Sequence, residues 1–313
     1  MALITSAAQL QDNETVRCFI YGQSGAGKTS LALSAPNPVL LDFDQGYGRP
    51  ASSITMGKAC FQVDSWDEAK AFIMGKDVEP FETVICDTVY AMIEAIKKSV
   101  NPTTGEPANI KQWGQVASEF RHLVGQLKRL GKHVVFLDQV KDDGESGAHH
   151  YAPASSDKRV LDIVQNMDLV GYLYMGQDSE GNQQRQVTFT PTSWCEGKNI
   201  AYLPDVLAIP EVVDNRGRYL CDNTFFADSI IKPYRDMRRR QREEAAQAAE
   251  VMTKIRAEID GIKDAKGAND FVATVNSYPH IGTTKTQARV MLQEKVAKLG
   301  LKWDNKTKSY AGA

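Results

Sequence analysis

A chain of 313 residues that is 42% hydrophobic and 24% charged is long enough for about two domains with a large core, which excludes disorder throughout. Its five cysteines are odd in number and form no C-x-x-C pair, which argues against a disulfide framework or a zinc site. The net charge of −2 conceals an asymmetry: up to Ile231 there are 20 basic against 29 acidic residues, and from Lys232 onward 17 against 10.

The start, "MALITSAAQLQDNETVR", has neither the basic opening nor the apolar core of a signal peptide, and no apolar run approaches a membrane span. An untargeted protein of the reducing cytoplasm is expected, with residues 1–15 as an extension. "VRCFIY" (Val16 to Tyr21) is apolar and β-prone. It leads into "GQSGAGKT", which fits G-x-x-x-x-G-K-[ST] at every fixed position. "TSLALSA" then reads as a short helix ended by Pro36. Strand, glycine loop and helix in this order make a phosphate cradle. The nucleotide-binding set is Gly22, Gln23, Ser24, Gly25, Ala26, Gly27, Lys28, Thr29 and Ser30, with Lys28 reaching the β and γ phosphates and Thr29 a magnesium ligand.

"PVLLDFDQGYGRP" (Pro38 to Pro50) is a buried strand leaving through two acids into a glycine turn. An acid there can deprotonate an attacking water, which makes Asp44 the first candidate base and Asp42 the second. "ETVICDT" (Glu82 to Thr88) is a second buried strand, ending in Asp87, followed by the amphipathic "VYAMIEAIKKSV". Asp87 is the candidate magnesium carboxylate, and capping of the following helix is open to the same residue. "HVVFLDQVKDDG" (His133 to Gly144) is an apolar strand whose tip would bring Gln139 near the γ phosphate. "NMDLVGYLYMG" and "RQVTFTPTSW" alternate like antiparallel strands joined through "QDSEGNQQ".

The tail changes character. Residues 211–231 read as a connector, and the segment from Lys232 reads as a long helix with Met252, Ile255, Ile259 and Ile262 on one stripe that calls for a partner. Arginines crowd its start, as a phosphate contact or as a solvated face. After "KGAND" come two shorter helical patterns, "FVATVNSY" and "TKTQARVMLQEKVAKLG", and then a small hairpin in "LKWDNKTKSYAGA".

The order of P-loop, "LLDFDQG", "ETVICDT", "WGQVASEFRHLVGQLKRLGK" and "VVFLDQVK" resembles the ATPase core of RecA-type recombinases. More specifically it is similar to the small RecA-like ATPases of bacteriophages that accompany single-strand annealing, the Sak-type group. The resemblance implies an α/β fold: a RecA-like core over 16–210, mostly parallel with antiparallel strands at its end, and a mainly helical basic region over 232–313. It implies ATP and Mg2+ as cofactors and the general base at Asp44, where RecA-like proteins usually carry glutamate. It implies coupling of the γ phosphate to a DNA-binding loop through Gln139. That loop would be "VKDDGESGAHHYAPASSDKR" (Val140 to Arg159), with Lys141, His149, His150, Lys158 and Arg159 as its candidate DNA contacts. "SVNPTTGEPANIKQ" (Ser99 to Gln112) stands where the second loop would be. Lys198 in "WCEGKN" is either a charge acting on a neighbouring subunit's nucleotide or a surface lysine. The implied partners are single-stranded DNA, further copies of the chain, and a single-strand-binding or annealing protein. The competing expectation is a nucleotide-gated interaction protein whose C-terminal region holds a protein partner. A small-molecule kinase fits less well, since no arginine-rich lid segment follows the P-loop.

Overall fold

The computed structural model describes residues 14–144, 148–155 and 161–312. The chain divides into two compact units, the larger ending at Asp236 and the smaller beginning at Met237.

In the larger unit, buried runs become adjacent strands. β1 (Arg17–Gly22) carries the P-loop at its end, α1 (Lys28–Ala32) follows, and then come β2 (Pro38–Asp42), α2 (Ser52–Thr55), β3 (Ala59–Gln62) and α3 (Trp66–Met74). β4 (Thr83–Asp87), α4 (Val89–Val100), α5 (Ile110–Arg129) and β5 (His133–Asp142) complete the parallel part with β7 (Leu169–Gln177), which follows β6 (Tyr151–Pro153) and α6 (Leu161–Asn166). β8 (Gln183–Thr188), β9 (Lys198–Asn199) and β10 (Leu207–Ala208) are short later strands. The sheet runs β10-β8-β7-β1-β5-β4-β2-β3, with β6 added to β5 and β9 to β7. From β7 to β3 every pairing is parallel, and β8, β9, β10 and β6 join antiparallel.

β2, β4 and β5 are unbroken apolar runs rather than alternating ones, because they are covered on both faces. On one face Val39, Leu41, Val84, Cys86, Val134 and Phe136 pack with Trp66 and Ile73 of α3, Met92 and Ile96 of α4, and Phe120 and Leu123 of α5. Each such aliphatic or aromatic side chain contributes about 1.5–3 kcal/mol of burial. The three helices start at side-chain caps: Ser65, Thr88 and Asn109 accept the backbone N–H groups of Glu68, Ala91 and Gln112.

Two expectations change here. The segment from Val140 was read as the beginning of a loop, yet β5 continues to Asp142 and pairs with β6 through Val140 with Pro153 and Asp142 with Tyr151. Residues 211–231 were read as a connector but are fastened to the larger unit. Ser53 Oγ donates to the Gly217 carbonyl at 3.1 Å, Asn223 Nδ2 donates to the Ser30 carbonyl at 2.8 Å, and Phe226 N donates to Ser34 Oγ at 2.8 Å.

The helix from Lys232 is α7 (Lys232–Gly261), followed in the smaller unit by α8 (Ala265–Thr274), α9 (Thr284–Lys298) and the hairpin of β11 (Leu301–Asp304) and β12 (Ser309–Gly312). The stripe of Met252, Ile255, Ile259 and Ile262 finds its partners within that unit, in Ala268, Phe271, Ala288, Leu292 and Val296. α8 starts earlier than its apolar pattern, so "KGAND" is helical: Asp264 accepts the Gly267 N–H at 2.8 Å and caps the helix seven residues before Phe271. No helix among the described residues is long and apolar enough to cross a membrane.

Candidate active site

Strand order brings the sequence motifs together. β5 lies between β1 and β4, so Gly22 stands level with Gln139, and Asp87 stands level with Leu137 on one side and Asp42 on the other. The ligand-bearing ends therefore share one edge, outside the carboxyl ends of parallel strands, where open α/β sheets bind ligands.

The P-loop closes onto this edge through backbone geometry. Gly25 and Gly27 adopt φ values of 77° and 101°, in the left-handed region that glycine enters without strain. Gly22 is required for a different reason: a Cβ there would lie 2.4 Å from the Leu173 carbonyl oxygen of β7. Lys28 is buried, and its Nζ donates to the Gly22 and Gln23 carbonyls at 2.9 Å each and to Gln139 Oε1 at 3.3 Å. Burial lowers its pKa, opposed by the charges of Asp87, Asp138 and Asp44. The hydrogen bonds of this buried cation go to neutral carbonyls and an amide, with the three carboxylates farther off, so among the described residues its ammonium has no directly paired anion.

Thr29 Oγ1 donates to Asp87 Oδ2 at 2.7 Å. Burial pushes the Asp87 carboxyl up to about 6; the Thr29 bond opposes this, Asp44 adds to it, and Lys28 opposes it. The helix after β4 is capped by Thr88, not Asp87, which leaves the Asp87 carboxylate facing Thr29. A hydroxyl and a carboxylate form a hard oxygen pair of the kind that magnesium takes from a protein when phosphate oxygens and water complete its shell. Lys28, Thr29, Asp44, Asp87 and Gln139 line one cleft of about 290 Å3 with Ser24, Gly25 and Arg49. The residues present thus fit a magnesium nucleotide.

The two acids after β2 part company. Asp42 is buried and accepts the N–H groups of Gly46 and Tyr47 at 2.8 and 3.0 Å, so it holds the turn. Asp44 reaches the cleft and is held by Arg49, whose Nη1 donates to Oδ2 at 2.9 Å.

Other sequence candidates lie apart from the cleft. Lys198 Nζ donates to the Gln165 carbonyl at 2.9 Å, on β9. Lys141 sits 3.5 Å from Asp143, His149 Nδ1 is 2.5 Å from Asp142, and His150 Nδ1 is 2.7 Å from Asp143, so the basic groups of the β5–β6 hairpin face acids of the same hairpin. His149 also stacks on Tyr151, with ring centroids 5.8 Å apart. Lys158 and Arg159 lie outside the described residues.

Arg185 escaped the sequence reading. Its Nε donates to the Ala26 carbonyl of the P-loop at 3.1 Å, and its side chain lies 3.4 Å from where a Cβ on Gly27 would stand. It borders a second depression of about 200 Å3, walled by Leu31, Ile54, Ile209 and Val212. In the sequence it is one polar position of an alternating strand, and only the placement of β8 beyond β7 carries it to the loop.

The cleft and sheet order define a P-loop nucleotide-binding domain on a mostly parallel α/β sheet. Residues 14–200 match the model of the AAA domain family, and the chain belongs to that family. Among solved structures it is similar to a KaiC-like protein from the hyperthermophilic archaeon Pyrococcus horikoshii OT3. That match has 12% identity and a TM-score of 0.33, covering 55% of this chain and 77% of the other. No curated protein matches the chain.

Proposed function

We propose that the chain is a magnesium-dependent ATPase that acts on single-stranded DNA in phage recombination and assembles with nucleotide at subunit edges. One observation carries the ATPase reading: Lys28, Thr29, Asp87 and Gln139, from three adjacent strand ends, meet through contacts of 2.7 to 3.3 Å. Bound ATP with Mg2+ supplies the phosphoryl group and the cation that neutralises it. Lys28 and the P-loop N–H groups would hold phosphate oxygens, while Thr29 and Asp87 would hold the metal. Asp44, oriented by Arg49, accepts a proton from water at the open end of the cleft. The depression beside Arg185 takes the nucleoside. Lys198, half-buried on β9, would leave the Gln165 carbonyl to serve a neighbouring subunit.

The link to DNA runs through the strand tip. The Gln139 carbonyl accepts from Ala154 N and Asp138 Oδ2 accepts from Ser155 N, both at 2.8 Å, so the strand that carries Gln139 is tied directly to the return of the β5–β6 hairpin. A change at the Gln139 side chain therefore has a short mechanical path to His149 and Tyr151, whose stack offers a surface for a base. ATP turnover is measured with single-stranded DNA, double-stranded DNA, RNA or no nucleic acid. Stimulation by single strands alone, lost in Gln139→Ala while basal ATP binding persists, is the expected result. Turnover indifferent to all three refutes DNA coupling and favours a nucleotide-gated interaction protein.

A further inference from the structure

The smaller unit has a built pocket that the ATPase reading does not use. Phe271 of α8 and Leu292 of α9 form a buried floor, and Val275 and Trp303 continue the wall of a cavity of about 450 Å3. The hairpin wall is fixed in place. Asn269 Nδ2 donates to the Tyr310 carbonyl at 3.0 Å, Tyr310 N donates to Asn269 Oδ1 at 2.7 Å, and Trp303 packs edge-on against Tyr310 with centroids 4.9 Å apart. Trp303 remains 39% exposed, so part of its ring is open to a ligand in the cavity.

Charge decides what this pocket takes. Lys285 and Arg289, one turn apart on α9, stand at its rim, no carboxylate lines it, and among the described residues neither cation has an ion-pair partner. From Thr284 to Gly312 the chain carries seven Lys and Arg against two Asp and Glu. We infer that the pocket is a docking site for an acidic segment of a partner protein that buries an apolar side chain on Phe271 and Leu292 and places carboxylates on Lys285 and Arg289. A concave apolar floor with two cations on one side suits a side chain anchored beside its acids. A nucleic acid strand would instead use a row of open aromatic faces along a cationic track.

The test uses the full chain without nucleotide, so it does not depend on the ATPase reading. A fluorescein-labelled peptide Gly-Asp-Glu-Asp-Leu-Phe is titrated by anisotropy. Parallel arms use a peptide with Lys for each acid, a peptide with Ser for Leu and Phe, and labelled oligothymidylate. Binding is expected for the acidic apolar peptide alone, weakened ~10-fold or more by Lys285→Glu with Arg289→Glu and also weakened by Trp303→Ala. The charge-reversed variant is expected to match the parent in helical circular dichroism and thermal unfolding, which shows that the smaller unit remains folded. Absence of peptide binding, equal binding of the Ser or Lys peptide, or equal binding to the charge-reversed variant overturns the inference. So does oligothymidylate binding that is lost in that variant while peptide binding persists.

Discussion

Gly22→Ala probes the point where sheet packing and nucleotide site meet. The new methyl would stand 2.4 Å from the Leu173 carbonyl oxygen, against an ordinary carbon–oxygen approach of ~3.3 Å. The obstacle is backbone in a parallel pairing, Gly22 opposite Leu173, so no side chain can rotate away. The end of β1 must retreat by about 1 Å. Overpacking of this kind costs ~1–3 kcal/mol, a fraction of the ~5–15 kcal/mol that holds a domain folded, so the variant should fold. The larger effect falls on chemistry, because the same retreat moves the P-loop, and a misplacement of ~1 Å can cost on the order of 100-fold in rate. Urea unfolding should show the modest loss, and ATP turnover at saturating nucleotide the severe one. Gly125→Ala on α5, where a Cβ meets nothing within 4 Å, is the control and should leave turnover unchanged. Parental turnover in Gly22→Ala would refute the argument that contact with β7 positions the P-loop.

Lys28→Ala should sharply weaken ATP binding and turnover, by on the order of 100-fold or more, while thermal unfolding stays within a few degrees of the parent. Unchanged turnover would remove Lys28 from the site. Asp87→Asn should raise the magnesium concentration needed for half-maximal turnover, whereas Asp44→Asn should bind nucleotide normally and hydrolyse it slowly; parental hydrolysis in Asp44→Asn places the base elsewhere. His133 should make the larger unit acid-labile. It is buried, its Nδ1 accepts the Val16 N–H at 3.0 Å, and burial together with nearby Arg235 pushes its pKa down to about 4 from 6.5. The folded state keeps the ring neutral while the unfolded chain takes up a proton, so this contribution is complete above 6.5 and is lost as pH falls from 6.5 to about 4. The loss is about 3 kcal/mol by linkage. Urea midpoints across that window should fall less steeply in His133→Gln, and an unchanged slope would show that the lability arises elsewhere.

The sequence by itself determined what depends on neighbours along the chain. Glycine spacing set the P-loop, because left-handed backbone at Gly25 and Gly27 is a local property. Doubly covered strands betrayed themselves as unbroken apolar runs, and the recurrence at three- and four-residue steps from Met252 marked a helix with a buried stripe. The start of α8 at Asp264 was not read, because apolar periodicity begins only later in that helix.

Tertiary structure alone decided which of several equivalent residues does what. Asp42 and Asp44 are both acids at a strand end, and the fold of the turn gives one to the Gly46 and Tyr47 amides and leaves the other in the cleft. Asp87 and Thr88 are both competent caps, and the fold gives the cap to Thr88 and leaves the Asp87 carboxylate to accept the Thr29 hydroxyl at 2.7 Å. Arg185 reaches the Ala26 carbonyl across 159 positions of chain, and the hairpin histidines meet acids that composition could only count. Hydrogen bonds and ion pairs act over about 3 Å in space, and strand order, which no local periodicity encodes, sets which distant residues come that close.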